Sequence, residues 1–190
     1  MTNIPVLEGY GCRLRPVCVA DAAFIVQLRN QPFAKGTIHA TSTSVEKQRQ
    51  WIESWQTREN DYYWIIEDAK DSYKPIGTIG FYDLDMALKE GMPGRWVMMP
   101  QASVNILAPF ILLYKFAFEV LGINRVIMDV VATNKKVRRF HKLYGANYIS
   151  VPARYADAEE EVGSPLVWFE FMREQWPAMI DCWHPILEVF

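Results

Sequence analysis

The chain lacks the cysteines for a metal or disulfide framework. Cys12, Cys18 and Cys182 are odd in number and none stands in a C-x-x-C pair, so they read as free thiols of a reducing compartment. A surplus of one charge is missing too. The 20 Lys and Arg against 22 Asp and Glu leave a formal net charge of −2 and a pI near 5.9, without the broad positive field that a nucleic-acid binder needs. No apolar run reaches the roughly 18 to 20 residues that span a bilayer, and MTNIPVLEGYGCRLRP has no cationic segment ahead of an apolar one. Repeats and low-complexity tracts are absent as well. The expectation is a soluble cytoplasmic protein without a metal. Its 190 residues, 51% of them hydrophobic, suit one core and one domain over residues 1–190.

What is present alternates between strand and helix patterns. CRLRPV is a short alternating strand, and Asp21 is placed to cap a helix that turns Phe24, Ile25 and Leu28 inward. After the polar loop NQPFAKGTIHATSTS, Thr43-x-x-Glu46 forms a capping box for a helix whose Gln48, Trp51, Ile52 and Trp55 share one face. YYWIIED and IGTIGFYDLD read as a hairpin, and RWVMM, after the loop MALKEGMPG, reads as the next strand. SVNILAPFILLYKFAFEVLG is a central helix ending at Gly122, with Lys115 and Glu119 spaced as an i, i+4 pair. NRVIMDVVAT is an apolar strand, NKKVRRFHKLYG an amphipathic helix, NYISV a strand, ADAEEEVGS a solvated acidic loop and LVWFEFMRE the last strand. A tail over about 175–190 follows; its apolar end WHPILEVF covers either its own core or a partner in a homodimer.

KPIGTIGFYDLD and LLYKFAFEVLGINRVIMDVVATNKKVRRFHKLYGANYI, together with this element order, resemble the GNAT superfamily of acyl-CoA-dependent N-acyltransferases. The likeness is greatest to the branch with ribosomal-protein alanine acetyltransferases and aminosugar N-acetyltransferases, and it extends over roughly residues 10 to 175. It implies one α+β domain, in which a mostly antiparallel twisted sheet is flanked by helices and two strands splay into an acyl-CoA slot. The co-substrate implied is acetyl-CoA or another acyl-CoA.

The resemblance also implies site residues. Asn134, at the end of the strand before the cationic helix, would contact the pantetheine arm; as a residue it is equally suited to a plain N-cap, and both roles can hold together. Arg138 or Arg139 would meet a CoA phosphate through forked, charge-assisted bonds. Lys135, Lys136 and Lys142 read as the wet side of a helix with Val137, Phe140 and Tyr144 inward. His141 stands where the family places a Tyr or His beside the thioester sulfur, and it becomes the general-acid candidate, because imidazole near pKa 6.5 is available in either form. Backbone N–H groups around Val97, Met98 and Met99 would hold the oxyanion.

PQASVNILAP departs from the family pattern [Q/R]-x-x-G-x-[G/A] at the entrance to the central helix. Gln101 matches, but Val104 and Ile106 replace residues that let backbone amides approach a diphosphate. Gln101, Ala102, Ser103, Val104, Asn105 and Ile106 are the expected cofactor loop, with Ser103 and Asn105 supplying side-chain donors. Pro109 requires the helix to start late or bend. The departure also leaves open a noncatalytic scaffold or ligand-binding role.

The acceptor amine must lose a proton to react. The candidate bases are Asp83 and Asp85, which share a side at period two, and Glu90 in the next loop. His39, Phe81 and Trp96 are placed at the acceptor, and Trp51, Trp55 and Trp168 offer further stacking faces. The loop after LRN resembles that of aminosugar N-acyltransferases, so the small-molecule acceptor expected first is a nucleotide-linked amino sugar of surface-polysaccharide biosynthesis. A protein N-terminus is the alternative.

Overall fold

The computed structural model describes residues 4–34, 38 and 42–187, apart from the side chains at 161 and 184. His39 lies outside the described residues. Strands β1 (Leu7–Gly9), β2 (Cys12–Pro16), β3 (Tyr62–Asp68), β4 (Lys74–Asp85), β5 (Glu90–Met98), β6 (Arg125–Val131), β7 (Asn147–Ile149) and β8 (Leu166–Met172) form one sheet. Their order is β1-β2-β3-β4-β5-β6-β8-β7. Every pairing is antiparallel except that of β5 with β6. Among the described residues no helix is long and apolar enough to cross a membrane.

β3 shows why a continuous apolar run belongs at the centre of a sheet. All seven of its residues are buried. Tyr62, Trp64 and Ile66 join the larger core, while Tyr63 and Ile65 pack with Ile25 of α1 (Ala22–Arg29) and with Ile52 and Trp55 of α2 (Val45–Trp55). A strand covered on both faces has no polar alternation left to show. Helix α3 (Leu107–Lys115) lies on the first face, widens into a π turn over Phe116–Val120, and stops before Gly122 at φ +68°. That backbone suits glycine, and α3 carries seven buried residues in nine.

Several local expectations shift for identifiable reasons. Ser44, not Thr43, is the N-cap of α2, its Oγ accepting from the Lys47 N–H at 3.2 Å. Asp21 closes no cap of α1; its carboxylate takes the Cys18 N–H and the Arg15 guanidinium. Glu119 accepts from the Trp176 indole at 3.0 Å instead of pairing with Lys115. β5 begins at Glu90, five residues before Arg95, because Pro93 and Gly94 pair with Phe81 and Gly80 of β4 and the register shifts only beyond them, between Gly94 and Val97. The acidic loop contains a short helix, α5 (Ala158–Val162), closed by Gly163 at φ +69°, with Glu159 accepting the Leu166 N–H at 2.9 Å. The tail is helix α6 (Trp176–Leu187), and Trp176, Met179, Trp183 and Leu187 enter the larger core, so this apolar segment covers its own domain.

Candidate active site

β5 and β6 pair only at Glu90–Arg125 and Gly91–Val126. Beyond that point no pairing joins the two strands, and the sheet is open along a seam between them. Met99 N–H is spent on the Ile76 carbonyl of β4 at 2.8 Å. Strand alternation therefore turns the Met98 amide, between Val97 and Met99, toward the seam. Val97 itself is buried against Leu28 and Ala34.

On the α3 face the seam is bordered by α4 (Lys135–Leu143). Asn134 caps it, Oδ1 accepting the Val137 N–H at 3.2 Å, which satisfies one of the orphan donors of a helix start. Trp96, from β5, stacks on Phe110 of α3 with centroids 5.9 Å apart, and meets Phe140 of α4 edge-on at 5.5 Å. Trp96 thus lines the α3 side and not the opposite, acceptor side. Phe81 is fully buried in the same core, because β4 alternation puts Ile79 and Phe81 under α3; it is a packing residue with no surface to offer a substrate.

His141 is 6% exposed, more deeply placed than its sequence position suggested. Its Nδ1 lies 2.6 Å from the Tyr144 hydroxyl, which lies 2.9 Å from Met128 Sδ and 3.2 Å from the Tyr114 hydroxyl. Burial pushes the imidazole pKa down to about 4, with Asp129 opposing the shift. At neutral pH the ring is uncharged, with one nitrogen protonated, and the Tyr144 hydroxyl lies within hydrogen-bond distance of both Nδ1 and Met128 Sδ. Burial likewise raises the Tyr144 and Tyr114 hydroxyls, so both remain protonated donors. Tyr144, read first as a packing residue and second as an acid, belongs to this polar chain.

Arg138 is engaged elsewhere, Nη1 donating to the Ala132 carbonyl at 2.9 Å. Arg139, Lys135 and Lys136 are exposed. The segment from residue 100 to the start of α3 is closed upon itself. Val104 is buried in the core, Ala102 packs against it, and Gln101 and Ile106 are exposed. Ser103 Oγ donates to the buried Asp68 carboxylate. Asn105 uses Oδ1 on the Leu107 N–H at 3.0 Å and its carbonyl on the Ala108 N–H at 2.9 Å. Pro109, third in the helix, needs no bend because its missing N–H is one that α3 leaves unpaired in any case.

On the opposite face, under α1 and α2, lies a polar group that sequence reasoning largely missed. Arg95 makes a forked pair with Asp61, Nη2 to Oδ2 at 2.8 Å and Nη1 to Oδ1, and Arg58 approaches Asp61 at 3.7 Å. The Arg95 guanidinium sits 4.4 Å from the Tyr82 ring centroid and 5.3 Å from those of Trp51 and Tyr63. Gly94 is required beneath it, since a Cβ there would lie 2.2 Å from the Tyr82 hydroxyl. Arg58, Glu59, Asn60, Asp61, Asp83 and Leu84 line a cavity of ≈ 270 Å³. Asp129, on β6 three residues past the last pairing with β5, is half-buried, and its charge acts on both Tyr82 and His141.

The three expected carboxylates separate. Asp83 stands at the cavity rim with its pKa raised, first by burial and then by Asp61, against the pull of Arg154 and Arg95. Asp83 adopts φ +50°, and the pairing with β5 jumps between Tyr82 and Asp85, so period-two alternation does not relate Asp83 to Asp85. Asp85 is the hairpin residue, Oδ1 accepting the Ala87 and Leu88 N–H groups at 2.9 Å. Glu90 is buried between Arg125 and Arg154, at 3.1 and 3.2 Å, at the closed end of the seam. Of the additional tryptophans, Trp55 and Trp168 are buried; Trp51 alone reaches the acceptor-side guanidiniums, Arg58 lying 5.6 Å away.

Residues 12–147 match a family model described as an acetyltransferase (GNAT) domain. Among solved structures, the apo form of FdhC, described as a nucleotide-linked sugar GNAT, superposes with a TM-score of 0.80 at 26% identity, over 97% of this chain and 99% of that one. A GCN5-related N-acetyltransferase from Brucella melitensis gives 0.80 at 18% identity, over 98% and 86%. A spermidine N-acetyltransferase SpeG variant from Vibrio cholerae gives 0.69 at 12% identity, over 88% and 97%; the last two likenesses speak for the fold. No curated protein sequence matches. With its divergent central strands and a family match over most of its length, the chain belongs to the GNAT acetyltransferase family of acyl-CoA-dependent N-acyltransferases.

Proposed function

We propose that the chain transfers an acyl group, acetyl in the simplest case, from CoA to the primary amine of a nucleotide-linked amino sugar. The observation that carries this reading is the polar cavity on the face of α1 and α2, lined by Arg58, Asp61 and Asp83, beside which the Trp51 ring lies 5.6 Å from the Arg58 guanidinium. Aromatic faces suit a sugar or base, and guanidinium suits phosphate. FdhC, a nucleotide-linked sugar GNAT alike over almost its whole length, supports the choice.

In this reading the pantetheine arm enters between β5 and β6 past Asn134, and the Met98 amide faces the thioester oxygen. Asp83 takes the proton lost by the amine, its raised pKa making the carboxylate a better acceptor of it. His141, uncharged, is the hydrogen-bond partner for the departing sulfur. The amine, once Asp83 has taken its first proton, forms the new C–N bond as the C–S bond breaks, and the second N–H proton passes to the thiolate, which leaves as CoA thiol.

The test is thiol release from acetyl-CoA with separate pools of amino-sugar nucleotides, N-terminal peptides and polyamines. Turnover confined to the sugar-nucleotide pool is expected. Turnover with peptides or polyamines alone would overturn the acceptor assignment, and thiol release with none of the pools would overturn the transferase reading.

A further inference from the structure

Between β7 and β8 the chain makes one turn of 3-10 helix, Ala153–Tyr155, in which the Tyr155 N–H returns to the Pro152 carbonyl at 2.8 Å. The turn carries Tyr155 to the sheet face opposite α3. Leu166 and Trp168 of β8, Met92 of β5 and Ile127 of β6 form a small core there, and Tyr82 and Tyr155 pack against it; Phe169 and Phe171, on the other side of β8, join the core under α3. The Tyr155 ring stacks on Trp168 with centroids 5.0 Å apart and planes inclined by 23°, and the Arg154 guanidinium lies 4.7 Å from its centroid. Arg154 is itself tied to buried Glu90 at 3.2 Å.

A ring held in this way aims its hydroxyl. That hydroxyl is buried and makes no hydrogen bond among the described residues, although a tyrosine hydroxyl taken out of water normally finds a partner and otherwise carries an uncompensated desolvation cost. Burial pushes its pKa up to about 12, and the charges acting on it are Asp83 first, then Arg154 and Glu90. Of these only the two carboxylates can accept a hydrogen bond, and Glu90 is already held by Arg125 and Arg154, at 3.1 and 3.2 Å. Asp83 is the one that remains. It stands at the cavity rim on backbone at φ +50°, where an unanchored carboxylate keeps its rotamer freedom. Tyr155 does not line that cavity, so it acts on an acceptor through Asp83.

Resting on the reading of Asp83 as the base, we infer that Tyr155 is a positioning residue for the reaction: its hydroxyl donates to one oxygen of Asp83 and leaves the other turned to the cavity for the amine's proton. Orientation of this kind raises the rate of a proton transfer without touching the substrate. The same bond favours the charged carboxylate, so it moderates the rise that burial imposes on Asp83 and keeps the group ionised to lower pH. Arg154, Asp61 and Arg95 act on Asp83 as well, and Arg58 and Glu59 share its cavity. Deleting one oxygen atom reads the hydroxyl's own share.

Tyr155→Phe makes that deletion, with retention of fold checked by circular dichroism. With aspartate carboxyls labelled with carbon-13 and the Asp83 signal identified from Asp83→Asn, the Asp83 titration midpoint of the intact chain, read without acceptor, is expected to rise by about one pH unit in Tyr155→Phe. The acid limb of kcat/KM, followed by thiol release from acetyl-CoA with the acceptor pool that turns over, is expected to move up by the same amount. The kcat is expected to fall roughly 10-fold, with the KM for acetyl-CoA unchanged. An unmoved midpoint would overturn the inference and leave the base and acceptor assignments standing. A moved midpoint with an unmoved limb would overturn the base assignment, and the positioning role with it. Absence of turnover with every acceptor would overturn the reading on which the inference rests, whatever the midpoint does.

Discussion

Replacing His141 by alanine is expected to lower kcat by roughly 10²-fold while leaving the Kd for CoA unchanged. The ring lies within the polar chain His141–Tyr144–Tyr114, next to Met128, and is buried. Because burial holds its pKa near 4, the native pH–rate profile is expected to show no limb near pH 6.5. A limb there that disappears in the variant would mean that the imidazolium is the donor; full activity in the variant would remove His141 from the chemistry. The same shift has a consequence for stability. Between pH 6.5 and 4 the unfolded chain binds the His141 proton and the folded chain does not, so this stabilisation is complete above pH 6.5 and is lost as pH falls toward 4. Urea unfolding of His141→Phe at several pH values in that window should show a shallower dependence than the native chain.

Replacing Asp61 by alanine is expected to destabilise the fold by about 2–4 kcal/mol, because it strands the Arg95 guanidinium. The Arg95 side chain is 17% exposed and that of Asp61 10%, so water cannot simply replace the carboxylate. Stacking on Tyr82 retains part of the favourable environment, which places the loss toward the lower part of the usual range for a broken buried pair. For a chain of this length that is a fall in Tm of about 5–12 °C. Asp61→Asn keeps one acceptor oxygen and should lose less. A melting temperature within about 2 °C of native for Asp61→Ala would show that the pair is solvated and contributes little. Loss of acceptor turnover in Asp61→Asn at near-native stability would tie the pair to the site, because Arg95 is the guanidinium it aims.

Much of this architecture is legible from residue order. The seven-residue run Tyr62–Asp68, the amphipathic α4 with Asn134 ahead of it, and the apolar β6 need only periodicity and capping rules, and they fall where those rules put them. The acceptor-side polar group is not legible, for a definite reason. Asp83 and Arg95 both adopt φ +50° without being glycine, and such strained backbone is set by the packing around it, not by the residue itself. Once β4 and β5 slip at these points, alternation no longer says which side chains share a face. Asp83 and Asp85 then part, and Arg95, inside an apparent strand of apolar residues, turns toward Asp61. The signal available was the P-G-R sequence at Pro93–Arg95, a glycine-marked irregularity ahead of a charged residue within a strand.

His141 illustrates the complementary limit. Its spacing from Asn134 locates it on α4, but spacing does not reveal that Phe140, Tyr144 and Phe169 pack around it. The chemistry expected of an imidazole available in either charge form therefore changes to that of a neutral one. The entrance to α3 is the case where composition was informative by omission. Glycines are missing there at positions 104 and 106, and the structure turns the Val104 side chain into the core while Asn105 takes the Leu107 and Ala108 N–H groups.

The central claim is that the opening between β5 and β6 beyond Gly91 and Val126 receives the donor's arm. Amide hydrogen exchange with and without saturating CoA tests it directly. Slowed exchange at Met98 and at residues 130–134, with β1 and β2 unaffected, is the result expected; protection confined to another part of the sheet, or none at all, would contradict it.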